Sequence, residues 1–412
     1  MSNPTPLDLQ SVREALKGSA AAFRAVTELQ PVGGDGDKLF PPTYEGSVYA
    51  EETRVMDGKA EHCVLLDSVQ SQANRLELAL LDGYRSGKLK FPLVQVDFAK
   101  TAAAEVGMVT ALEAPHRVFD ALFLACTLNE KGGTVPFRPR KRGQTGASVY
   151  GQRLELASAA NATALFEICP TALVFGAWDS HGARGGLGEK FQRALVSEII
   201  GIGIEKGKRP ASRIDSVIRT TKDLPVVELE DGSWRLAGEG ATNTMKLSEV
   251  GLGNVTPSLV NPKTKELNHG GVTARVARQI TVLSLPALRR LRFPVTKNDQ
   301  TQQSDDIDLA ARTVLCALGL ASVAWQWRVG FSLRSRCDLY SKGTELSIEQ
   351  VGGPHAGPFT LTPDVAASLL DEAVQDAIAL GFSWSPLPIT LMPSPDLAEV
   401  VRRSRDLAAE GN

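Results

Sequence analysis

Residues 178–199, "WDSHGARGGLGEKFQRALVSEI", combine glycines with basic side chains in a way that suits phosphate binding. Glycine lets a bulky anion approach the backbone N–H groups closely. The stretch does not match the nucleotide-binding P-loop, because Glu189 separates Gly188 from Lys190, and Phe191 follows where that loop requires Ser or Thr. It also lacks the GxGxxG spacing of a dinucleotide site. We therefore expect an anion site that does not hydrolyse nucleotides.

The residues around the glycines predict a strand, a turn and a helix. Residues 171–178 are a short apolar run, typical of a buried strand. After Gly188, apolar side chains recur every three or four residues, which predicts an amphipathic helix. Lys190 and Arg193 would lie in its first turns, where the helix dipole disfavours cations unless an anion is bound. The sequence favours an anion site over the alternative, a plain surface loop. The periodic apolar residues are Phe191, Leu195, Ile199 and Ile202.

Two windows contain basic residues and no Asp or Glu, although the chain of 412 residues has 47 acidic residues and a net charge of −2. Such windows predict local positive surface, which attracts polyanions. Solvated loops are the alternative. The window 131–154 contains Lys131, Arg138, Arg140, Lys141, Arg142 and Arg153. The window 267–298 contains Arg275, Arg278, Arg289, Arg290, Arg292 and Lys297.

Patterns for catalysis and metal binding are weak. The histidines are scattered, without HExxH or a pair at ligand spacing, so we expect no zinc site. Ser180 precedes His181, but adjacent side chains rarely point at each other and GxSxG is missing. The acids in "QSDDIDLAAR" are typical of a helix N-terminus rather than a metal site; they are Asp305, Asp306 and Asp308. The five cysteines form no CxxC pair, and we expect buried, reduced thiols.

The elements that must position these residues alternate between helix and strand. We expect helices over roughly 8–29 and from Leu65 to Gly83, and a buried strand at 91–98. We also expect a hairpin turning at Asp231 and Gly232, and a strand at 331–340 with one basic face. Loop-rich stretches interrupt this pattern, and one α+β core with long insertions is the simplest architecture. These stretches are 31–60, 130–160 and 237–275.

Composition and hydropathy predict a cytoplasmic protein without a membrane partner. No apolar run approaches the roughly 20 residues needed to span a bilayer. The N-terminal sequence lacks the basic-then-apolar order of a secretory signal.

Five segments together resemble one family, the backbone (Cas-seven-type) subunit of the type I-G CRISPR Cascade interference complex, formerly called type I-U. This family belongs to the RAMP superfamily of RNA-binding proteins. The similarity runs in order from about residue 31 to 350. The segments are "KLFPPTYEG", "LLDSVQSQANRLE", "FGAWDSHG…GGLGEKFQRALVSEI", "VTARVARQITVLSLPALRRLRFP" and "LRSRCDLY".

The resemblance implies one elaborated RAMP domain over 1–412. Its core would be a ferredoxin-like, RNA-recognition-type βαββαβ palm with insertions called fingers and thumb. It implies a loop-rich insertion at 31–60, a basic finger-like insertion at 130–160 and a thumb within 237–285. Together with the basic windows, it predicts RNA contacts from the glycine loop, the polar face of one helix and the basic segments. The predicted RNA-binding residues are Asn74, Arg75, Arg138, Arg140, Lys141, Arg142, Ser180, His181, Arg184, Gly185, Gly186, Gly188, Lys190, Arg193, Arg275 and Arg278.

The function that the resemblance implies is a non-catalytic scaffold. Copies of the chain would assemble along the spacer of a CRISPR RNA and present it for pairing with a target DNA strand. The other implied partners are the large subunit and the subunit that binds and processes the repeat end, and no cofactor or metal is expected. A metal-dependent ribonuclease that cuts target RNA, as type III relatives do, is the alternative.

Overall fold

The computed structural model describes residues 5–141, 144–180, 188–209, 211–261, 265, 267, 269–297, 300–354 and 357–410. The predicted residues Arg142, His181, Arg184, Gly185 and Gly186 lie outside these ranges.

The helices of the described chain are α1 (Leu9–Lys17), α2 (Val69–Arg85), α3 (Ala121–Leu124), α4 (Val149–Glu155), α5 (Thr163–Ile168), α6 (Thr171–Phe175), α7 (Leu285–Arg289), α8 (Asp305–Val329), α9 (Pro363–Ala379) and α10 (Pro395–Glu410). Short 3₁₀ turns occur at Glu45–Ser47, Ala104–Val106 and Arg117–Phe119.

The first ten strands in the described chain are β1 (Thr5–Pro6), β2 (Ala22–Pro31), β3 (Glu51–Met56), β4 (Lys59–Asp67), β5 (Val94–Asp97), β6 (Met108–Thr110), β7 (Cys126–Glu130), β8 (Gly133–Pro136), β9 (Ala177–Trp178) and β10 (Lys190–Phe191). The later strands are β11 (Leu195–Lys208), β12 (Ala211–Arg213), β13 (Val226–Glu228), β14 (Trp234–Leu236), β15 (Val255–Ser258), β16 (His269–Ser284), β17 (Val295–Lys297), β18 (Gln300–Gln302), β19 (Phe331–Arg334), β20 (Cys337–Ser341), β21 (Ser347–Val351), β22 (Phe359–Thr360) and β23 (Ile389–Pro393).

The chain folds as a mixed α+β protein around a large sheet. Its strand order is β1-β22-β21-β2-β16-β11-β4-β3, and β20 also pairs with β2. From β21 through to β3, neighbouring strands run antiparallel. A second sheet has the order β6-β5-β23-β7-β8 and joins the C-terminal part of the chain to its middle.

The long helix α8 forms the centre of the core. It packs against α1, α2, α6, α7 and α9 and against β16. By length and composition it could cross a membrane, but 94% of its most apolar window is buried inside the protein. Ser304 caps its N-terminus, and Asp305, Asp306 and Asp308 lie in its first turn, as the sequence predicted. All five cysteines are free and buried, which is also as predicted.

Several element predictions were wrong, and the glycine-rich segment gives the clearest example. The predicted helix after Gly188 is the strand β11, and the predicted strand at 171–178 is mainly helix α6. β11 lies between β16 and β4, so its middle is buried on both faces, with Ile199, Ile200 and Ile202 all inaccessible. A strand buried on both faces has no two-residue alternation, and its apolar spacing mimics a helix.

The other elements differ in detail. The predicted helix over 8–29 is α1 followed by β2, and Leu65 lies in β4 rather than in the following helix. That helix, α2, continues past Gly83 to Arg85. The segment 331–340 is a hairpin of β19 and β20, because the chain turns at Arg336 with a φ of 58°. The strand predicted at 91–98 (β5) and the hairpin at Asp231–Gly232 (β13 and β14) are confirmed.

The segment between β11 and β16 leaves the large sheet. Its described residues form the short pairs β12–β15 and β13–β14. β16 itself returns to the centre of the sheet. The region 237–285, predicted as a thumb, therefore contains the central strand β16 as well as part of the segment between β11 and β16.

A buried polar network joins the helices α2 and α8 to the sheet. The side chain of Gln279 (β16) donates to Gln72 Oε1 (α2, 2.8 Å) and to Gln326 Oε1 (α8, 2.9 Å). Ser197 (β11) donates to the same Gln72 oxygen at 3.1 Å. Gln72 in turn donates to Asp67 Oδ2 at 2.6 Å. These bonds satisfy polar groups that would be costly to bury alone.

Asp67 is the charged end of this network, and its side chain is fully buried. Its two oxygens accept hydrogen bonds from Ser71, Gln72, Arg75 and Arg334. The carboxylate therefore links β4, α2 and β19.

We expect Asp67→Ala to destabilise the fold strongly. The substitution leaves Gln72 and two guanidinium groups without their shared acceptor, and breaking a buried pair from one side costs about 3–5 kcal/mol. Urea unfolding of the variant should show this loss, whereas the exposed control Asp371→Ala should stay within about 0.5 kcal/mol of the parent. A loss for Asp67→Ala no larger than that of the control would contradict the role of the network.

Candidate nucleic-acid interface

The two strands on either side of the glycine-rich residues pair with each other and form the stem of a β-hairpin. β9 and β10 pair antiparallel, with Lys190 opposite Trp178 and Phe191 opposite Ala177. Residues 181–187, between the two strands, lie outside the described ranges. Because β11 rather than a helix follows, the predicted helix dipole does not contribute to anion binding here.

Glycine is required at the base of this hairpin for close backbone packing. A Cβ added at Gly188 would lie 1.7 Å from the backbone oxygen of Asp179. Gly176 has a φ of +80°, and a Cβ there would lie 2.9 Å from the backbone nitrogen of Arg193. Both glycines therefore fix the hairpin stem, and Gly188 has a structural role beside its predicted RNA contact.

Lys190 is exposed on the outer face of the stem. Its Nζ lies 4.4 Å from the centroid of the Trp178 ring. The neighbouring Glu189 carboxylate accepts from the backbone N–H of Ala159 (3.3 Å), so it is held by the protein. Ser180, at the start of the loop, is half-buried.

Arg193 and Arg290 add positive charge beside the stem. Arg193 is half-buried, and its Nε donates to the backbone oxygen of Phe175 at 3.0 Å. Burial, with a further contribution from Arg117, lowers the pKa of Arg193. Arg290 is exposed and its Nη1 donates to Gln192 Oε1 at 2.9 Å. Arg290 lay in a basic window of the sequence, but its position beside the hairpin requires the tertiary structure.

Arg138 is fully buried, against the expectation of an RNA contact. Its guanidinium bonds Asp179 Oδ2 at 2.7 Å and Glu155 Oε1 at 2.6 Å. It also lies 4.8 Å from the ring centroid of Phe119. The charge is thus used inside the protein, where it anchors the hairpin stem to α4.

Arg140 and Lys141, two residues further along, are exposed. Their backbone N–H groups donate to Gln144 Oε1 at 2.9 and 3.3 Å, which shapes the loop. Their side chains therefore retain the predicted surface position.

The two residues of α2 that were predicted to contact RNA have different environments. Asn74 is exposed. Arg75 donates to Asp67 and to the backbone oxygens of Ser332 (3.2 Å) and Leu333 (2.6 Å). These contacts give Arg75 a structural role in fixing β19, and any RNA contact would have to share its guanidinium.

Arg275 and Arg278 lie on β16, away from the hairpin along the strand. Arg275 pairs with Glu61 at 2.8 Å, and 60% of its side chain is exposed. Arg278 lies 3.7 Å from Glu28. Each cation is thus offset by a neighbouring carboxylate.

No sequence pattern indicates the buried contact between Arg117 and Glu77 that supports the hairpin. Arg117 donates to both oxygens of Glu77 (2.6 and 2.8 Å) and to the backbone oxygen of Gly176 at 2.7 Å. Glu77 looked like an ordinary helix residue, and its partner lies 40 positions away. Burial raises the pKa of the Glu77 carboxyl to about 7, although Arg117 opposes the rise.

Metal binding has no clear support among the described residues. Within those ranges, no group of three or more His, Cys, Asp or Glu side chains is placed to hold a metal ion.

Comparison with known proteins finds one family model that is similar to part of the chain. Residues 23–206 match the model of the family described as CRISPR-associated protein GSU0053. This segment, a little under half of the chain, is therefore similar to a family of CRISPR-associated proteins. The match supports the predicted relation to Cas-seven-type backbone subunits.

Two further comparisons complete this description. No curated protein sequence matches it. Csc2 from Thermofilum pendens, a solved structure, matches with 14% identity over 96% of this chain and 90% of that chain, at a TM-score of 0.27.

We expect the contribution of Glu77 to stability to fall as pH rises. The folded pKa of about 7 exceeds the unfolded value of about 4.3. Between these values the folded protein holds a proton that the unfolded chain has released, so stability is lost as pH rises through this window. Glu77→Gln cannot ionise at this position and serves as the reference. As pH rises through this window, the free energy of unfolding of the parent should fall by about 3 kcal/mol relative to that of the variant.

Urea unfolding of both proteins between about pH 5 and pH 8 tests this expectation. Groups shared by the two proteins cancel in the difference between their free energies of unfolding. A difference that stays constant with pH would contradict the raised pKa.

Proposed function

We propose that this chain is a CRISPR RNA-binding backbone subunit of a Cascade-type complex, of the type I-G subtype. The observation that carries the proposal is the family match over a segment that contains the glycine-rich hairpin with its exposed Lys190. In this proposal, copies of the chain assemble along the guide and bind its backbone. Base pairing then selects the target DNA strand, and the large and repeat-end-binding subunits are further partners.

We also propose that the core is a ferredoxin-like palm. The order β2-α2-β11-β16-α8-β20/β21 along the chain corresponds to βαββαβ. In space, β20 and β21 pair with the two ends of β2 along one of its edges. β16 pairs with the other edge of β2, and β11 follows β16; all these neighbours are antiparallel. Both helices bond to the same sheet face through the glutamine network. The hairpin β3–β4 would be an insertion that extends the sheet beyond β11.

The distribution of charge supports phosphate binding at the hairpin stem. Lys190 and Arg290 are exposed cations close to the glycine loop, and neither forms an ion pair with a carboxylate in the described chain. Contacts from such side chains are independent of base sequence, as a subunit that serves many guides requires. Arg140 and Lys141 would supply further contacts from the basic insertion.

The proposed role is binding without cleavage, in the cytoplasm. The state of one carboxylate at the hairpin supports this proposal, because Asp179 pairs with the buried Arg138. Asp305 and Asp308 lie at the start of α8, where Arg292 contacts both.

We expect the double variant Lys190→Ala, Arg290→Ala to bind RNA more weakly by a similar factor for every sequence. Each lost phosphate contact should reduce the slope of log K against log salt by about 0.7 for a single strand. Fluorescence anisotropy with two unrelated single-stranded RNAs over a salt series measures both effects. Arg403→Ala, an exposed arginine of α10, is the control.

An unchanged salt slope in the double variant would contradict phosphate contacts at this stem. A loss confined to one RNA sequence would contradict a backbone-binding role.

A further inference from the structure

Trp178 is a large aromatic side chain left at the protein surface. It is 39% exposed, whereas Trp325 is buried and Trp384 donates its indole N–H to the backbone oxygen of Lys90. The indole N–H of Trp178 makes no hydrogen bond within the described residues. The protein thus exposes apolar ring surface beside its glycine loop.

The register of the hairpin explains why this ring faces outward. Side chains alternate between the two faces of a strand. Ala177 and Phe191 form the inner pair, in which Phe191 is buried and stacks on Phe119 with ring centroids 6.4 Å apart. Trp178 and Lys190 form the next pair and therefore share the outer face.

The stem that carries this outer pair is held firmly. Asp179, next to Trp178, forms an ion pair with the buried Arg138. The backbone N–H of Asp179 donates to the backbone oxygen of Glu189 at 3.1 Å. Gly188 packs directly against the Asp179 backbone. An aromatic ring on a fixed stem loses little conformational entropy when it binds a ligand.

The outer pair matches the chemistry of one nucleotide. A base has a π face that stacks on an aromatic ring, and its phosphate is an anion for a lysine. The ammonium of Lys190 already lies over the Trp178 ring, so the two groups are within reach of one ligand unit.

We propose that Trp178 stacks on a base of a bound single-stranded RNA while Lys190 binds the adjoining phosphate. The stacking site deepens the proposed function and rests on it. It tolerates any base, because every base has a π face.

Trp178→Leu tests the site, because leucine keeps the apolar bulk and removes the π face. The variant should bind single-stranded RNA about ten-fold more weakly, with an unchanged salt slope because no phosphate contact is lost. Trp178→Phe, which keeps a π face, should recover most of the affinity. An abasic ribose-phosphate oligomer of the same length should bind the parent and Trp178→Leu equally, since it offers no base to stack.

Anisotropy titrations with both oligomers separate the possible outcomes, and thermal unfolding verifies that each variant is folded. An equal loss on the RNA and the abasic oligomer, or a loss that phenylalanine does not recover, would overturn the stacking site. So would full affinity in Trp178→Leu, and in each of these three cases the proposed function would stand. A folded parent protein that binds neither oligomer would overturn the proposed function itself.

Discussion

The buried guanidinium of Arg138 holds together the parts from which the candidate interface is built. It joins Asp179 of the hairpin to Glu155 of α4, with no exposure to solvent. The single cation pairs with both carboxylates, and loss of the guanidinium would leave both of them without this partner. The outward direction of Trp178 and Lys190 depends on this anchor, because it fixes the residue next to Trp178.

The basic side chains of this protein fall into two groups, one bonded inside the fold and one exposed at the surface. Arg75, Arg117 and Arg138 are committed to carboxylates and backbone oxygens inside the protein. Lys190 and Arg290 remain at the surface. The net charge near zero does not show this difference. Some arginines stabilise the fold, whereas other cations are available to an anionic partner.

The sequence predicted elements whose signals are local. The turn residues at Asp231–Gly232 and the acids at the start of α8 act within a few positions, and both predictions are confirmed. β11 was missed because a strand covered on both faces loses the alternation that identifies strands. Arg138 and Arg140 look equivalent in the sequence; only the fold brings Asp179, 41 positions away, to one of them. The mismatches at Glu189 and Phe191 separated the glycine cluster from nucleotide-binding loops in the sequence, but the pairing of β9 with β10 on either side of it was not predicted.

In the proposed function, copies of this chain assemble along single-stranded RNA through contacts with its backbone. The most direct measurement is the mass of complexes formed with RNAs of increasing length, by size-exclusion chromatography with light scattering. The number of copies per RNA should rise in proportion to RNA length and should be the same for unrelated sequences. One copy per RNA at every length, or assembly on only one sequence, would contradict it.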